Sequence, residues 1–576
     1  MFNKIAHRHF LFILIALFFV ACSSNENSDT TAPTLMESTP TDGAASVDVN
    51  TTISLKYTEQ IVLVSTPQIK LNDSVVSTVV EARTLTISAK LKSNTTYKLV
   101  VPNKTISDVA GNFAKEITIT FTTAASVTIA GTIFEAENAT LSADAAISNS
   151  QSGYSGTGYV NTNSGNVTFT VQTSETGYYD VYLQYIASTQ KINNLYVDGL
   201  QAAEITFPTL TAWAEIKTAM LKLTAGSHTI SIVKNWGYIQ LDYLRVAKNT
   251  VGPVAFNIAS APVSTNPSPQ LVNLYNYLKT NFNTKIVSGT MANYSTNITE
   301  ATWVYNNTGK WPALTAFDFI DHTNPNQNWV NYTAPFTLGQ DWWNNNGLVA
   351  FSWHWRDPLT KSGSFNTFST SYPNGTTFDV TKVSDPTSAE YKAMIVDIDA
   401  IAGYLKQFKN ANIPVIWRPL HEAEGGWFWW GAKGAEPCKT LWKLLYDRLV
   451  NYHGLNNLIW VWTSSASTNA ATWYPGDAYV DVVGMDIYPG ENQHGSQYIS
   501  FNKVREMTGG KKIITLSECG SAPDPALMKQ YGDIWSWFMP WNGDYTESDS
   551  HNGVAWWKKF FSYDYVITRD KMPSLK

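Results

Sequence analysis

Eight short apolar runs, alternating with segments of helical periodicity, recur along residues 253–576 of this 576-residue chain. Each run has the length of a buried strand, and segments such as Tyr391–Lys409 and Lys439–Tyr452 space apolar residues as helices do. Strands that alternate with helices imply a parallel sheet, and eight of them imply a sheet closed on itself. The runs are Ile286–Ser288, Ala313–Phe317, Leu348–Ser352, Pro414–Trp417, Leu458–Trp462, Val482–Met485, Lys512–Leu516 and Ile534–Phe538. We therefore predict a (β/α)8 TIM barrel for residues 253–576.

Polar side chains follow these runs, at the strand ends where such barrels carry their chemistry. Glu422 follows the fourth run and Glu518 the seventh, so the two carboxylates are expected to face each other across the barrel mouth. A pair about 5 Å apart supports double-displacement glycoside hydrolysis, in which one group attacks the anomeric carbon while the other protonates the leaving oxygen. The other residues at these ends are Asp318, His354, Arg418, His421, Asp486, Tyr488 and Trp541.

The composition favours a neutral ligand with flat apolar faces. Aromatic residues make up 13% of the chain, including 22 Trp, whereas charged residues make up only 15%. The net charge is −6, and nucleic-acid binding needs clustered positive charge that this chain lacks. We predict no nucleic-acid partner and a sugar-like ligand, because pyranose faces stack on indole rings while hydroxyls need a few directional donors.

Four motifs then resemble glycoside hydrolase family 26, whose members are chiefly β-1,4-mannanases. They are Trp417-Arg-Pro-Leu-His-Glu422, Gly426-Trp-Phe-Trp-Trp430, Thr515-Leu-Ser-Glu518 and Tyr565-Val-Ile-Thr-Arg-Asp570. The resemblance covers most of residues 270–576. It implies a retaining enzyme that cleaves β-1,4-mannosidic bonds in mannan, glucomannan or galactomannan and needs no cofactor for catalysis.

The resemblance also implies a role for each matching residue. Glu422 would be the general acid/base and Glu518 the nucleophile. His421 would help to fix the geometry around the nucleophile, and Tyr488 would hydrogen-bond Glu518. His354, Trp427 and Trp541 would line the sugar subsites, and Asp318 joins this substrate-binding set by its position at a strand end.

Some alternatives stay open at the level of sequence. Ala423 and Glu424 stand where smaller polar residues are expected, and we interpret Glu424 as a solvated loop residue because glutamate is rarely buried. A β-1,3-xylanase or a mixed-linkage β-glucanase of the same family remains a second interpretation of the barrel. A third is a non-catalytic surface protein that only binds glycans.

Residues 33–124 alternate apolar and polar side chains over short segments, which predicts a β-sandwich. The strands are expected at Thr52–Tyr57, Leu85–Ile87, Tyr97–Val100 and Ile117–Phe121. This domain resembles bacterial Ig-like modules in its Pro40-Thr-Asp-Gly43 and Asp108-Val-Ala-Gly111-Asn112 segments. We expect it to act as a spacer.

Residues 127–248 form a second strand-rich segment, which resembles the family 35 carbohydrate-binding modules in Phe134-Glu-Ala-Glu137 and Leu241-Asp-Tyr-Leu244. That resemblance implies a β-sandwich jelly roll in which Glu135, Glu137 and Asp242 bind a structural calcium, an ion that takes carboxylate oxygens. Glu135 and Glu137 are expected on one face of a strand, although solvated glutamates on an edge strand are the alternative. Tyr154, Asn235 and Trp236 are the candidates for sugar binding in this module.

The first residues indicate export. Lys4 and Arg8 precede the apolar segment 10–20, the pattern of a signal peptide. Residues 1–22 end in Phe19-Val-Ala-Cys22, which resembles a lipobox and predicts lipidation of Cys22, with a plain secretory peptide as the alternative. Residues 23–32 suit a flexible tether. We expect a monomer at the bacterial outer membrane or cell surface, attached to the membrane by the lipid alone. Cys438 and Cys519 are expected to be buried and free.

Overall fold

The chain divides into two compact units, residues 1–129 and residues 130–576. The computed structural model describes residues 29–49, 51–64, 67–124, 131–293, 297–323, 330–360, 368–370, 375–464 and 469–576. The predicted signal peptide with Cys22, and most of the predicted tether, lie outside the described residues.

The first unit is a β-sandwich, as its alternating pattern predicts, and its strands pair antiparallel except for β2 and β11, which are parallel. A four-stranded sheet, in the order β1-β3-β8-β7, and a five-stranded sheet, in the order β2-β11-β9-β5-β6, enclose the core, and β4 pairs with β10. Alternate residues of β3 are buried, so Ile53, Leu55 and Tyr57 face the core. The strands are β1 (Leu35–Thr39), β2 (Ala44–Val47), β3 (Ile53–Tyr57), β4 (Val62–Leu63), β5 (Lys70–Leu71), β6 (Ser74–Val75), β7 (Ser77–Glu81), β8 (Thr84–Ser88), β9 (Thr96–Val101), β10 (Ile106–Ser107) and β11 (Ile117–Thr123).

The second unit begins with another β-sandwich. One sheet has the order β14-β15-β22-β17-β20, with β12 also paired to β22, and the other has the order β13-β16-β21-β18-β19. The apolar faces of both sheets share one core. The strands are β12 (Thr132–Glu135), β13 (Thr140–Leu141), β14 (Ala146–Ser148), β15 (Tyr159–Asn161), β16 (Val167–Thr173), β17 (Gly177–Ala187), β18 (Lys191–Val197), β19 (Leu200–Phe207), β20 (Leu210–Leu223), β21 (Gly226–Trp236) and β22 (Gln240–Asn249).

The expected shared strand face of Glu135 and Glu137 is wrong. Strand β12 ends at Glu135, and residues 136–138 form a turn of 3₁₀-helix that contains Glu137. Pairing of β12 with β22 ends at Glu135, and the turn is closed by the Ala139 N–H, which donates to the carbonyl of Ala136 at 3.1 Å.

The rest of the second unit is a closed parallel barrel, as the eight apolar runs predict. Strands pair in the order β24-β25-β26-β27-β28-β29-β30-β23, β23 pairs back to β24, and a short β31 adds to β23. The strands are β23 (Ile286–Met291), β24 (Leu314–Asp318), β25 (Leu348–Trp353), β26 (Val415–Pro419), β27 (Leu458–Ser464), β28 (Val482–Ile487), β29 (Ile513–Cys519), β30 (Trp537–Pro540) and β31 (Val566–Ile567). The predicted run Ile534–Phe538 begins before the observed strand β30, because pairing with β23 starts only at Trp537.

Helices cover the barrel strands. Ser388 caps the long α4 by accepting the backbone N–H of Tyr391, and the predicted helix Lys439–Tyr452 is α5 continued by a π-helix over Asp447–Tyr452. The α-helices are α1 (Pro269–Asn281), α2 (Thr299–Thr308), α3 (Ala334–Asn344), α4 (Ala389–Asn410), α5 (Ala435–Tyr446), α6 (Ala470–Trp473), α7 (Tyr498–Met507), α8 (Pro525–Tyr531), α9 (Asp544–Glu547) and α10 (Val554–Phe561). Within the described residues, none of these helices has the length and apolar character that crossing a bilayer requires. Cys438 and Cys519 are buried and free, as expected.

Candidate active site

Two glutamates meet at the carboxyl ends of barrel strands. Glu518 is the second-last residue of β29 and is 4% exposed, whereas Glu422 lies in the turn after β26 and is half-buried. Glu422 has a left-handed backbone with φ of 50°, and Leu420 has φ of 51°. Such conformations cost roughly 1–3 kcal/mol in a residue other than glycine and cluster at functional sites. One carboxylate oxygen each of Glu422, Glu518 and Asp486 lies within 4.8 Å of the other two.

A buried arginine neutralises part of this carboxylate cluster. Arg418, on β26, donates one hydrogen bond to Asp486 Oδ2 at 2.9 Å and another to Glu518 Oε1. Ser517 Oγ donates to the other oxygen of Asp486 at 2.7 Å. All of these side chains are buried, so the carboxylates interact strongly with each other and with the guanidinium. Three ionised carboxylates would leave two uncompensated charges, so the cluster favours retention of a proton.

The hydrogen-bond partners indicate which glutamate holds that proton. Burial raises the pKa of Glu422 to about 7, and the charge of Asp486 adds to the effect. Burial also raises the pKa of Glu518, and the positive charge of Arg418 is the strongest effect that lowers it. Glu518 accepts hydrogen bonds from Arg418 and from the Tyr488 hydroxyl at 2.6 Å, which favour its ionised form. Glu422 accepts a bond from the Trp427 indole at 3.1 Å. The geometry therefore places the charge on Glu518 and the proton on Glu422.

Two histidines adjoin the carboxylates. His354 Nε2 and His421 Nε2 are 3.1 Å apart, and burial lowers the pKa of His421 well below its usual value, so His421 is neutral. The sequence placed His421 beside the nucleophile, but its hydrogen bond among the described residues goes to His354. Asp318 accepts the backbone N–H of His354 at 3.0 Å and its Nδ1 at 2.5 Å. Asp318 is 6% exposed and fixes the orientation of His354, and its expected place in the substrate-binding set stays a prediction.

Aromatic side chains line the open side of the cluster. Trp427 is 43% exposed and Tyr488 is 42% exposed, so both present ring surface to solvent. Trp541 follows β30, and its ring centroid lies 5.8 Å from that of His354. Its backbone N–H donates to the carbonyl of Cys519, the residue after Glu518, at 3.0 Å. These rings offer stacking surfaces beside the two glutamates.

Sequence patterns assigned no role to Arg418 and Asp486, and they predicted a different environment for Glu424. Arg418 lies inside a quoted motif and Asp486 ends the sixth run, yet neither position shows that the two side chains meet. Glu424, expected to be solvated, is half-buried and accepts a hydrogen bond from Ser464 Oγ at 2.9 Å. A motif can locate such residues, but only the barrel closure determines which of them come into contact.

The proposed calcium ligands surround one short segment of the sandwich of residues 132–249. Ser155 donates its backbone N–H to Asp242 and its hydroxyl to Glu135 at 2.7 Å, and Thr157 donates to Glu137 at 2.7 Å. Glu137 Oε2 is buried and has no hydrogen-bond partner among the described residues. An added Cβ at Gly156 would lie 2.3 Å from Glu137 Oε1, so the chain passes very close to these carboxylates. The carboxylate oxygens of Glu135, Glu137 and Asp242 nevertheless do not all lie within 4.8 Å of one another. Carboxylate oxygens are the donors that calcium takes, but the three side chains as placed do not converge on one ion position.

The structure describes the side chains of two of the three sugar-binding candidates of the same sandwich, Tyr154 and Asn235. Tyr154 packs near Tyr159, with ring centroids 5.8 Å apart, whereas the Asn235 amide donates to Glu204 at 3.0 Å. The side chain of Trp236 lies outside the described residues. Their joint role stays a prediction.

Comparison with known proteins agrees with this geometry. The family description "Glycosyl hydrolase family 26" matches residues 263–571, "Carbohydrate binding module (family 35)" matches residues 132–249, and "Bacterial Ig-like domain" matches residues 29–123. The chain is 36% identical to mannan endo-1,4-beta-mannosidase B of Piromyces sp. over 77% of each chain. It is 35% identical to mannan endo-1,4-beta-mannosidase of Thermothelomyces thermophilus over 78% of this chain and 92% of that one. The crystal structure of a Podospora anserina GH26-CBM35 β-(1,4)-mannanase is 35% identical, with a TM-score of 0.53, over 78% of this chain and 99% of that one.

The barrel, the paired glutamates and these matches define a multidomain glycoside hydrolase. The chain belongs to glycosyl hydrolase family 26, with a family 35 carbohydrate-binding module and a bacterial Ig-like domain ahead of the catalytic barrel.

Removal of the buried cation should destabilise the barrel strongly. In Arg418→Met, Asp486 and Glu518 lose their counter-charge, so we expect the free energy of unfolding at neutral pH to fall by about 3–5 kcal/mol. The pKa of each carboxyl then rises further, so the loss should shrink as the pH falls and the carboxyls take up protons. Urea titration at two pH values measures this.

The matched control is Lys310→Met, which removes an ion pair with Asp570 whose side chains are 47% and 51% exposed. In this control the free energy of unfolding should fall by about 1 kcal/mol or less. Equal losses in the two variants would contradict the structural role given to Arg418.

Proposed function

We propose that this enzyme cleaves β-1,4-mannosidic bonds in mannan, glucomannan or galactomannan with retention of configuration. The observation that carries the mechanism is the approach of the Glu422 and Glu518 carboxylates within 4.8 Å. Retaining glycosidases hold their carboxyl pair about 5–5.5 Å apart, whereas inverting ones leave roughly 6.5–9.5 Å for a water. The relatives named mannan endo-1,4-beta-mannosidase support the choice of substrate.

In the first step, the ionised Glu518 attacks the anomeric carbon while Glu422 donates its proton to the leaving glycosidic oxygen. The product of this step is a glycosyl ester on Glu518. In the second step, Glu422 removes a proton from water, which attacks the same carbon and restores Glu518. Arg418 and Tyr488 hold the nucleophile through its two oxygens, so it meets the substrate in one orientation.

The aromatic residues would bind the sugar rings. Trp427 combines a hydrogen bond to Glu422 with an exposed ring, which suits a subsite next to the leaving group. Trp541 lies beside His354, and we place it under the ring that reacts. Asp318 would act indirectly by fixing His354 for a hydroxyl contact.

Loss of the nucleophile should abolish turnover. In Glu518→Ala we expect the rate of oligosaccharide release from mannan to fall by at least about 10⁴-fold, because covalent catalysis is lost. The wild type should act on mannan in a panel with β-1,3-xylan and mixed-linkage β-glucan, with products followed by chromatography. Glu37→Ala, which changes a glutamate of β1 in the first unit whose side chain is 65% exposed, is the control and should keep its activity.

A Glu518→Ala enzyme with wild-type activity would show that the nucleophile is another residue. Intact mannan beside degraded xylan or β-glucan would move the substrate to one of those glycans. A wild type without activity on all three would favour the glycan-binding alternative.

The pH dependence should report the pKa of Glu422. The first step needs protonated Glu422, so kcat/KM should decline as the pH rises through about 7, the value that burial gives this group. The Trp427 indole bond lowers that pKa. Trp427→Phe should therefore move the alkaline limb of the profile to higher pH, and Trp213→Phe in the carbohydrate-binding module should leave it in place. An unshifted limb in Trp427→Phe would contradict the assignment of Glu422 as the acid.

The remaining proposals concern the domains ahead of the barrel. The module would bind mannan and hold calcium with Glu135, Glu137 and Asp242. If it holds that ion, a chelator should lower the midpoint of thermal unfolding of the wild type and leave the midpoint of Glu137→Gln unchanged.

The chain would be exported and anchored by lipid at Cys22, as a monomer at the outer membrane or cell surface. Fatty-acid labelling that disappears in Cys22→Ser tests the anchor.

A further inference from the structure

We propose that the carbohydrate-binding module is a structural part of the catalytic site, with Gly495 as a positioning residue. Strand β19 of the module braces the loop of residues 488–497, which connects the barrel strand β28 with helix α7. This inference rests on the proposed function, in which Tyr488 holds the nucleophile Glu518.

The contact at Gly495 has no room for a side chain. A Cβ there would lie 2.3 Å from the carbonyl oxygen of Gln201 and 3.2 Å from the Cβ of Leu200, both at the start of β19. Backbone atoms cannot yield as the end of a flexible side chain can, so only glycine allows this approach. The Gln497 amide donates to the same Gln201 carbonyl at 3.4 Å, and the Gln201 N–H donates to Gln493 Oε1 at 3.4 Å.

The helix that follows the loop is fixed to the same module. Tyr498 is 1% exposed, its hydroxyl accepts the backbone N–H of Lys222 at 3.0 Å, and its ring stacks on Tyr531 at 4.9 Å. Ile499 is buried in the apolar core of the module. Lys222 Nζ also donates to the carbonyl of Gln530 at 2.7 Å. The module therefore holds α7 as part of its own core, which makes the position of β19 against the loop well defined.

The other side of the loop contacts the segment that carries the nucleophile. His494 Nδ1 donates to the carbonyl of Ala522 at 2.7 Å, and the Asp524 N–H donates to the carbonyl of His494 at 2.9 Å. Residues 522 and 524 follow β29, which contains Glu518. Tyr488, at the start of the loop, donates to Glu518 directly. A displacement at Gly495 therefore acts on Glu518 through its supporting segment and through Tyr488.

This arrangement assigns the module a second task besides binding glycan. A flexibly tethered module would leave the barrel chemistry unchanged when its contact is disturbed. A module that braces residues 488–497 should instead affect the bond between Tyr488 and Glu518, even with its own glycan site intact.

The test uses Gly495→Ala in the full chain, with Gly490→Ala as the matched control in the same loop. A Cβ at Gly490 has its nearest described neighbour at 3.7 Å, an ordinary contact. Gly495→Ala should lower kcat by about tenfold, within the range that a shift of roughly 1 Å produces, with little change in KM. Because a weaker Tyr488 bond raises the pKa of Glu518, the acid limb of the pH profile should move to higher pH. Binding of mannan by the module should not change, and Gly490→Ala should behave as the wild type.

A double-mutant cycle separates positioning from general damage. In the Tyr488→Phe background the effect of Gly495→Ala should be smaller than in the wild type, because both changes act on one interaction. If Gly495→Ala does not fold, Tyr498→Phe, which removes the acceptor for Lys222, should give a smaller loss of kcat in the same direction.

Wild-type kcat and an unshifted acid limb in Gly495→Ala would overturn the inference. If Tyr488→Phe alone leaves kcat and the profile unchanged, the proposed hold of Tyr488 on the nucleophile fails instead. Loss of activity in Glu518→Ala is independent of both results, so the two failures are distinguishable.

Discussion

The contact of the Arg418 guanidinium with Asp486 and Glu518 is the interaction on which the catalytic arrangement depends. Three ionised carboxylates this close together are strongly unfavourable without a cation, and Arg418 binds two of them. It leaves Glu422 with the Trp427 indole as its described hydrogen-bond donor. In the proposed mechanism, the difference in hydrogen-bond partners separates the roles of two chemically identical side chains, one ionised for attack and one protonated for donation.

The fold supplies the distances that this interaction needs. Parallel closure places the carboxyl ends of β26, β28 and β29 on one rim of the barrel, and each strand or the turn after it contributes one carboxylate of the cluster. The turn after β26 adopts a left-handed backbone at Glu422, so the carboxyl group reaches over the strand ends. Outside the barrel, β19 and α7 hold the loop that starts with Tyr488. The site is thus assembled by elements from two domains of one compact unit.

Much of this architecture could be predicted from the sequence because local patterns determine it. Strand periodicity located the eight barrel strands, and the position of Glu422 and Glu518 after two of them followed from the same pattern. Contacts between distant segments could not be predicted, since no local signal records them. The pairing of Arg418 with Asp486, the support of His354 by Asp318 and the contact of Gly495 with Gln201 depend on how the barrel closes and the module docks. The turn at Glu137 escaped prediction because strand alternation does not show that the pairing of β12 with β22 ends at Glu135.

Trapping the covalent intermediate would show whether Glu518 is the residue that bonds to the sugar. A fluorinated mannoside with a good leaving group slows hydrolysis of the glycosyl ester, so the adduct accumulates and can be located by peptide mass spectrometry. The account predicts one added sugar on the peptide that contains Glu518, and none on that peptide in Glu518→Ala. A label on Glu422 or Asp486, or a first product of inverted configuration without any adduct, would contradict it.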